Sequence, residues 1–384
     1  MKRIAFLGTW AMLIAVGMPG VSVFGALAQD QDIVGQWRLE RIAEQADTPR
    51  GGMMSSILSL SRDKDGKLVG QMVGLGGVSE VQDLSFQNGT LKFTQRLQMR
   101  DTEFVSQFSG TLKDGKLVGT LTNPRGEVRM EGTRLPVLPD IVGDWEITTT
   151  RGQRQMVTVL SVRMDKEGKI LATWQPRRGP RVGQETDRQR QGDRPARPER
   201  PDRADQADQP QRQFGGMMEV SDVQYKDGVL TFTRRFQGRA RQQQDQQAQQ
   251  PERMMRYTLR AEGDVLTGTV TTPQGDQQPI EGKRVGANAV GTWLLTVSSQ
   301  RGERAQRLVI RPDLTALYGP MEIDQVAVED GTISFTMTMG FGDRTFENTF
   351  KATLDGDKLT GELTMTTGFD GQPVTQQVTG KKIS

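Results

Sequence analysis

Arg234 is the residue whose setting most suggests chemistry. It stands in Leu230-x-Phe232-x-Arg234-x-Phe236, where alternate side chains are apolar, so a guanidinium falls on the face of a strand that should be buried. A charge there must be paired or wet. One reading is an anchor for an anion or carboxylate, framed by Trp174, Phe236 and Tyr257. The other is a mouth residue that snorkels to solvent, or a bulge that shifts the register. The matching positions in two related segments are Gln95 and Met337.

Other chemistries are excluded by composition. The 384 residues include no Cys and no His, which removes thiolate and imidazole nucleophiles and zinc sites with the usual N/S ligands. Catalysis would have to rest on carboxylates, Lys, Arg or Tyr, and no strand pattern carries an inward acid. The expectation is a protein that is not an enzyme, with no cofactor and no metal. The pairs Met53-Met54, Met217-Met218 and Met254-Met255 have Cu(I)-binding thioethers. Neighbours on a strand point to opposite faces, however, and they read as fillers of irregular core space. Asp63-x-Asp65-Gly66 resembles the start of a calcium loop without its later ligands, and reads as a hairpin turn. Asn88-Gly89-Thr90 fits a glycosylation acceptor and is better explained by turn chemistry.

The first residues address the chain rather than fold it. Lys2 and Arg3 precede an apolar run from Ile4 to Phe24, and Ala26-Leu27-Ala28 reads as a cleavage site, so residues 1–28 are expected to be a secretory signal peptide. Gly17, Pro19 and Gly20 interrupt the run and no second span follows, which speaks against a transmembrane anchor. Export to the periplasm or the extracellular space is the expectation. Cleavage would remove two of the 50 basic residues and none of the 47 acids, taking the formal charge from +3 to +1. That balance gives no bulk attraction to nucleic acid.

The elements that position these residues repeat. Gly35-Gln36-Trp37, Gly143-Asp144-Trp145 and Gly291-Thr292-Trp293 open three units, which close on Gly132-Thr133-Arg134, Gly282-Lys283-Arg284 and Gly380-Lys381-Lys382. The units span 29–137, 138–286 and 287–384, each with the period-two pattern of eight short strands. Asn88-Gly89, Asp114-Gly115, Asp227-Gly228, Glu262-Gly263, Asp330-Gly331 and Asp355-Gly356 mark hairpins at one end. The second–third turn has such a dipeptide in units one and two but not in unit three. Gly119, Gly268 and Gly361 occupy one inward position, which would leave room for the Trp ring. Arg177–Gln213 and Gln237–Arg253 are polar insertions in the middle unit, expected to be disordered. The short linkers Leu135–Asp140 and Gly286–Asn288 suggest units that are stable separately.

Gly-x-Trp on a first strand, with a base on the last of eight antiparallel strands, resembles the calycin group of lipocalins, fatty-acid-binding proteins and avidins. Trp37 with Arg134 and Trp145 with Arg284 match it, whereas Trp293 has Lys382, a departure that weakens stacking. The lipocalin Thr-Asp-x-x-Tyr loop and C-terminal helix are not found. The resemblance implies a barrel whose mouth takes a small ligand, and its lipid carriers use an interior Arg. The fold expected is all-β: three tandem antiparallel eight-stranded up-and-down barrels. The function expected is an exported, non-enzymatic binding or interaction protein, with a small apolar or anionic amphipathic ligand as the candidate occupant of unit two. The alternative is a structural or surface-associated protein with filled barrels, whose variable loops contact envelope or extracellular protein partners.

Overall fold

The computed structural model describes residues 33–42, 55–99, 102–151, 154–176, 219–236, 253–299, 302–341, 344–366 and 373–384. The expected signal peptide, Met53, Met54, Met217 and Met218 lie outside them, as do both expected disordered insertions except Arg253, which opens a strand. The described residues are all strand and turn, and none forms a helix able to cross a membrane.

The first barrel is closed. Its strands Gly35–Arg41, Ser56–Arg62, Leu68–Gly74, Gly77–Gln87, Thr90–Met99, Thr102–Lys113, Lys116–Asn123 and Gly126–Arg134 pair in sequence order, and the last returns to the first with Trp37 opposite Arg134. The second unit repeats this with eight strands, its first (Gly143–Arg151) and last (Gln277–Arg284) pairing Trp145 with Arg284. Its ladder ends at the third strand, Ile170–Pro176, and the fourth, Glu219–Lys226. The third unit pairs Trp293 with Lys382 in the same way, but its sheet has nine strands.

The extra strand has a local cause. In the first two barrels the fourth strand bulges, with Asp83 and Asp222 at φ 51° and 55°. In the third barrel the matching position, six residues before the hairpin glycine Gly331, is Gln325, which has no positive φ. There the strand splits into Met321–Ile323 and Ala327–Glu329, and Val326 N–H turns to the carbonyl of Leu314 at 2.7 Å.

Two turns also differ from expectation. The sixth–seventh turns of the later barrels centre on Gly263-Asp264 and Gly356-Asp357, one residue beyond the expected dipeptides, with the positive φ at the glycine alone. The second–third turn of the third barrel exists without glycine. Arg311 N–H bonds Thr315 O at 2.8 Å, as Asp165 N–H bonds Lys169 O in the second barrel, and Leu314 takes φ 59°.

Each barrel has its own hydrophobic cluster around a fully buried Trp37, Trp145 or Trp293. A stacked ring pair between the fifth and sixth strands recurs in all three: Phe93/Phe108, Phe232/Tyr257 and Phe335/Phe350, with centroids 4.9, 4.8 and 4.7 Å apart. The inward glycines serve the backbone rather than the Trp ring. A Cβ on Gly119, Gly268 or Gly361 would run into the main chain of Ser109 and Gly110, of Thr258, or of Lys351 and Ala352 on the sixth strand. By compactness, Ile57–Met72 and Ser79–Leu135 belong to one unit, and Val73–Val78 with Pro136–Ser384 to a second, so the second and third barrels share one unit.

Candidate binding site in the second barrel

The Gly-x-Trp signature builds a bolt at one end of each barrel. Trp37, Trp145 and Trp293 donate Nε1–H to the carbonyls of Ile33, Ile141 and Ala289 at 2.9, 2.8 and 2.8 Å. Over each indole lies the base of the last strand, with Arg134 Cζ at 4.6 Å, Arg284 Cζ at 4.2 Å and Lys382 Nζ at 5.7 Å from the ring centroid. The preceding glycines have φ of 138°, 142° and 134°, and a Cβ on them would meet that same base. Glycine is therefore required twice, for the backbone and for the cation's seat.

The middle bolt is the most complete. Arg284 donates Nη1–H to Val142 O at 2.7 Å, Nη2–H to Asp140 O and Gly263 O at 2.8 and 2.9 Å, and Nε–H to the Asp264 carboxylate at 3.0 Å. Burial lowers its pKa, opposed by the nearby Asp264 and Asp140. These contacts fasten strand ends, and each of the cation's three nitrogens donates to a protein acceptor.

Arg234 occupies a different setting. It is 7% exposed, and its strand pairs with Arg253–Glu262 without a register shift. The irregularity lies on the neighbouring strand, between Ser221 and Gln224. The guanidinium sits with Cζ 4.5 Å from the ring centroid of Trp174, and Nη1 reaches the Tyr257 hydroxyl at 3.5 Å. Trp174 tilts against Phe232 and Tyr257 at 6.0 and 5.0 Å. The Tyr257 hydroxyl in turn donates to Met255 Sδ at 3.6 Å, and Met255 is Arg234's partner across the ladder. Trp174 Nε1 is buried with no acceptor among the described residues.

Of the sequence-selected residues, Arg234, Trp174 and Tyr257 thus come together, while the side chain of Phe236 lies outside the described residues. Phe232 and Met255 complete the group. Alternation had marked Phe232 as inward, but Met255 emerges only from the pairing register, which a single strand does not carry. The matching layer is built otherwise elsewhere: Gln95 donates to Ser79 at 2.9 Å in the first barrel, and Met337 is buried in the third. The Trp174 N–H, buried without an acceptor among the described residues, suits an acceptor-bearing group. Two depressions of about 620 and 460 Å³ lie elsewhere, on the outer face of the first barrel.

No protein-family model matches the chain, and no curated protein does. Among solved structures the chain is similar to a candidate outer membrane protein from Bacteroides fragilis, at 11% identity and TM-score 0.22, covering 92% of this chain and 99% of that one. It is also similar to a protein of unknown function from Nostoc punctiforme, at 11% identity and TM-score 0.18, covering 92% and 98%. Transferrin binding protein B from Haemophilus parasuis is similar at 10% identity and TM-score 0.17, over 91% and 74%. These superpositions are loose, and the barrel assignment stands on the strand ladders themselves.

Proposed function

We propose that the protein is an exported, non-enzymatic interaction module that contacts envelope or extracellular partners through the outer faces and variable loops of filled barrels. The observation that supports this reading is the occupancy of the interiors. In each barrel one cluster of side chains runs from the Trp bolt to the stacked ring pair, and in the second the guanidinium of Arg234 itself fills the layer above that pair. Barrels this small can be filled by their own side chains. Export rests on the pattern of residues 1–28.

A second reading is favoured by one feature, the buried Trp174 Nε1 without an acceptor among the described residues, beside a buried cation. In it, the second barrel holds the anionic head of a small amphipathic molecule. Native mass spectrometry of the exported chain and of its Arg234→Met form separates the two. A small molecule retained by the wild type and lost from the variant supports the ligand reading. Empty barrels in both, with unchanged stability in urea, support the interaction module.

A further inference from the structure

We propose that Met255 is a methionine-sulfoxide site, oxidised by hydrogen peroxide and then held in its oxidised form by the hydroxyl of Tyr257. Oxidation of a core methionine ordinarily disrupts packing, because a flexible apolar side chain becomes polar. The surroundings of Met255 reverse that expectation. Its sulfur already accepts the Tyr257 O–H at 3.6 Å, although a thioether is a weak acceptor. Arg234 stands directly opposite across the ladder, and the same cluster contains the indole N–H of Trp174, buried with no acceptor among the described residues. A sulfoxide supplies a strong oxygen acceptor at the atom toward which Tyr257 already donates.

The step balances with the peroxide as oxidant. A sulfur lone pair attacks one peroxide oxygen, the O–O bond breaks, and the S–O bond forms. The departing hydroxide takes the proton of the new S–O–H group and leaves as water, which gives the neutral sulfoxide. Met255 is partly exposed, so peroxide can reach it, whereas Met72, Met130 and Met337 are 2, 4 and 3% exposed and closed to it. Met156 and Met254 are more open, at 48 and 43%, but belong to the exposed set rather than to the core. The chain has no cysteine to compete for the oxidant.

The test exposes the folded full chain to hydrogen peroxide, locates added oxygen by peptide mass mapping, and measures the urea midpoint before and after. Met255→Leu, treated identically, isolates the contribution of this one sulfur from that of other methionines. The expected result is one oxygen on Met255 before any on Met72, Met130 or Met337. The wild type should then lose less of its urea midpoint on oxidation than Tyr257→Phe does, and no more than Met255→Leu does. If Tyr257→Phe does not fold, the comparison with Met255→Leu carries the test. Met255 remaining unmodified in the folded protein overturns the proposal. So does a midpoint that falls as far in the wild type as in Tyr257→Phe, or farther than in Met255→Leu.

Discussion

The guanidinium of Arg284 lies 4.2 Å from the ring centroid of Trp145 while serving four protein acceptors, Asp264 among them. A planar fork can stack and donate in several directions at once, and an ammonium cannot. In the third barrel Lys382 accordingly sits farther out, 5.7 Å from Trp293, with a single 3.3 Å bond to Asn288 O. Arg284→Lys should therefore cost about 1–3 kcal/mol, because buried carbonyls lose donors. Lys382→Arg should gain up to about 1 kcal/mol from closer stacking. Urea unfolding of both variants checks the pair of signs, and a stabilised Arg284→Lys would refute this account of the bolt.

The seventh-strand glycines make a second prediction. Gly268 lies against the carbonyl of Thr258, so Gly268→Ala must push two paired strands apart. A loss of about 1–3 kcal/mol is expected, as for other overpacked cores. Gly74→Ala is the control, since nothing stands within 4 Å of its Cβ position and its φ is not positive. Its effect should stay within about 0.5 kcal/mol. Comparable losses from the two substitutions would show that backbone approach is not the reason for Gly268.

Much of this architecture was legible because short-range chemistry fixes it. Gly-x-Trp and the terminal base gave the first–last pairing, and Asn88-Gly89, Asp227-Gly228 and Asp330-Gly331 adopt paired positive φ as turn dipeptides should. Leu314 shows the limit: a leucine at φ 59° has no local signature, and what it covers lies in the linker at Gly286. At the candidate site, alternation placed Arg234 inward, but only the ladder put Met255 opposite it and Trp174 beneath its guanidinium. Cross-strand relationships of this kind are set by register, which one segment cannot encode.

Arg234→Met tests what the buried charge does for stability. The matching residue of the third barrel is Met337, buried in that barrel's hydrophobic core, so the layer accepts a thioether. Replacing a buried ionic group by an apolar side chain of similar length is often neutral or favourable where no opposite charge is left unpaired. The variant should unfold in urea at or above the wild-type midpoint, with the emission of Trp174 altered by loss of the cation over its ring. A loss of more than about 2 kcal/mol would mean that Arg234 holds the barrel together, as breaking a satisfied buried pair does.

The second and third barrels should unfold together. Gly286, in the linker between them, lies under Leu314 and Val328 of the third barrel, and the carbonyl of Pro312 stands close to Gly143 at the bolt of the second. Shared contacts of this kind couple the stability of neighbouring elements, whereas separate domains respond independently. Leu314→Ala keeps the strained φ and removes packing, at a cost of about 1–2 kcal/mol for the lost apolar burial. Hydrogen exchange followed peptide by peptide distinguishes the outcomes. With coupling, protection falls together in Val229–Phe236 of the second barrel and Thr332–Phe341 of the third. A fall confined to the third barrel would mean that the two interiors are stable separately, and that the short linker only tethers them.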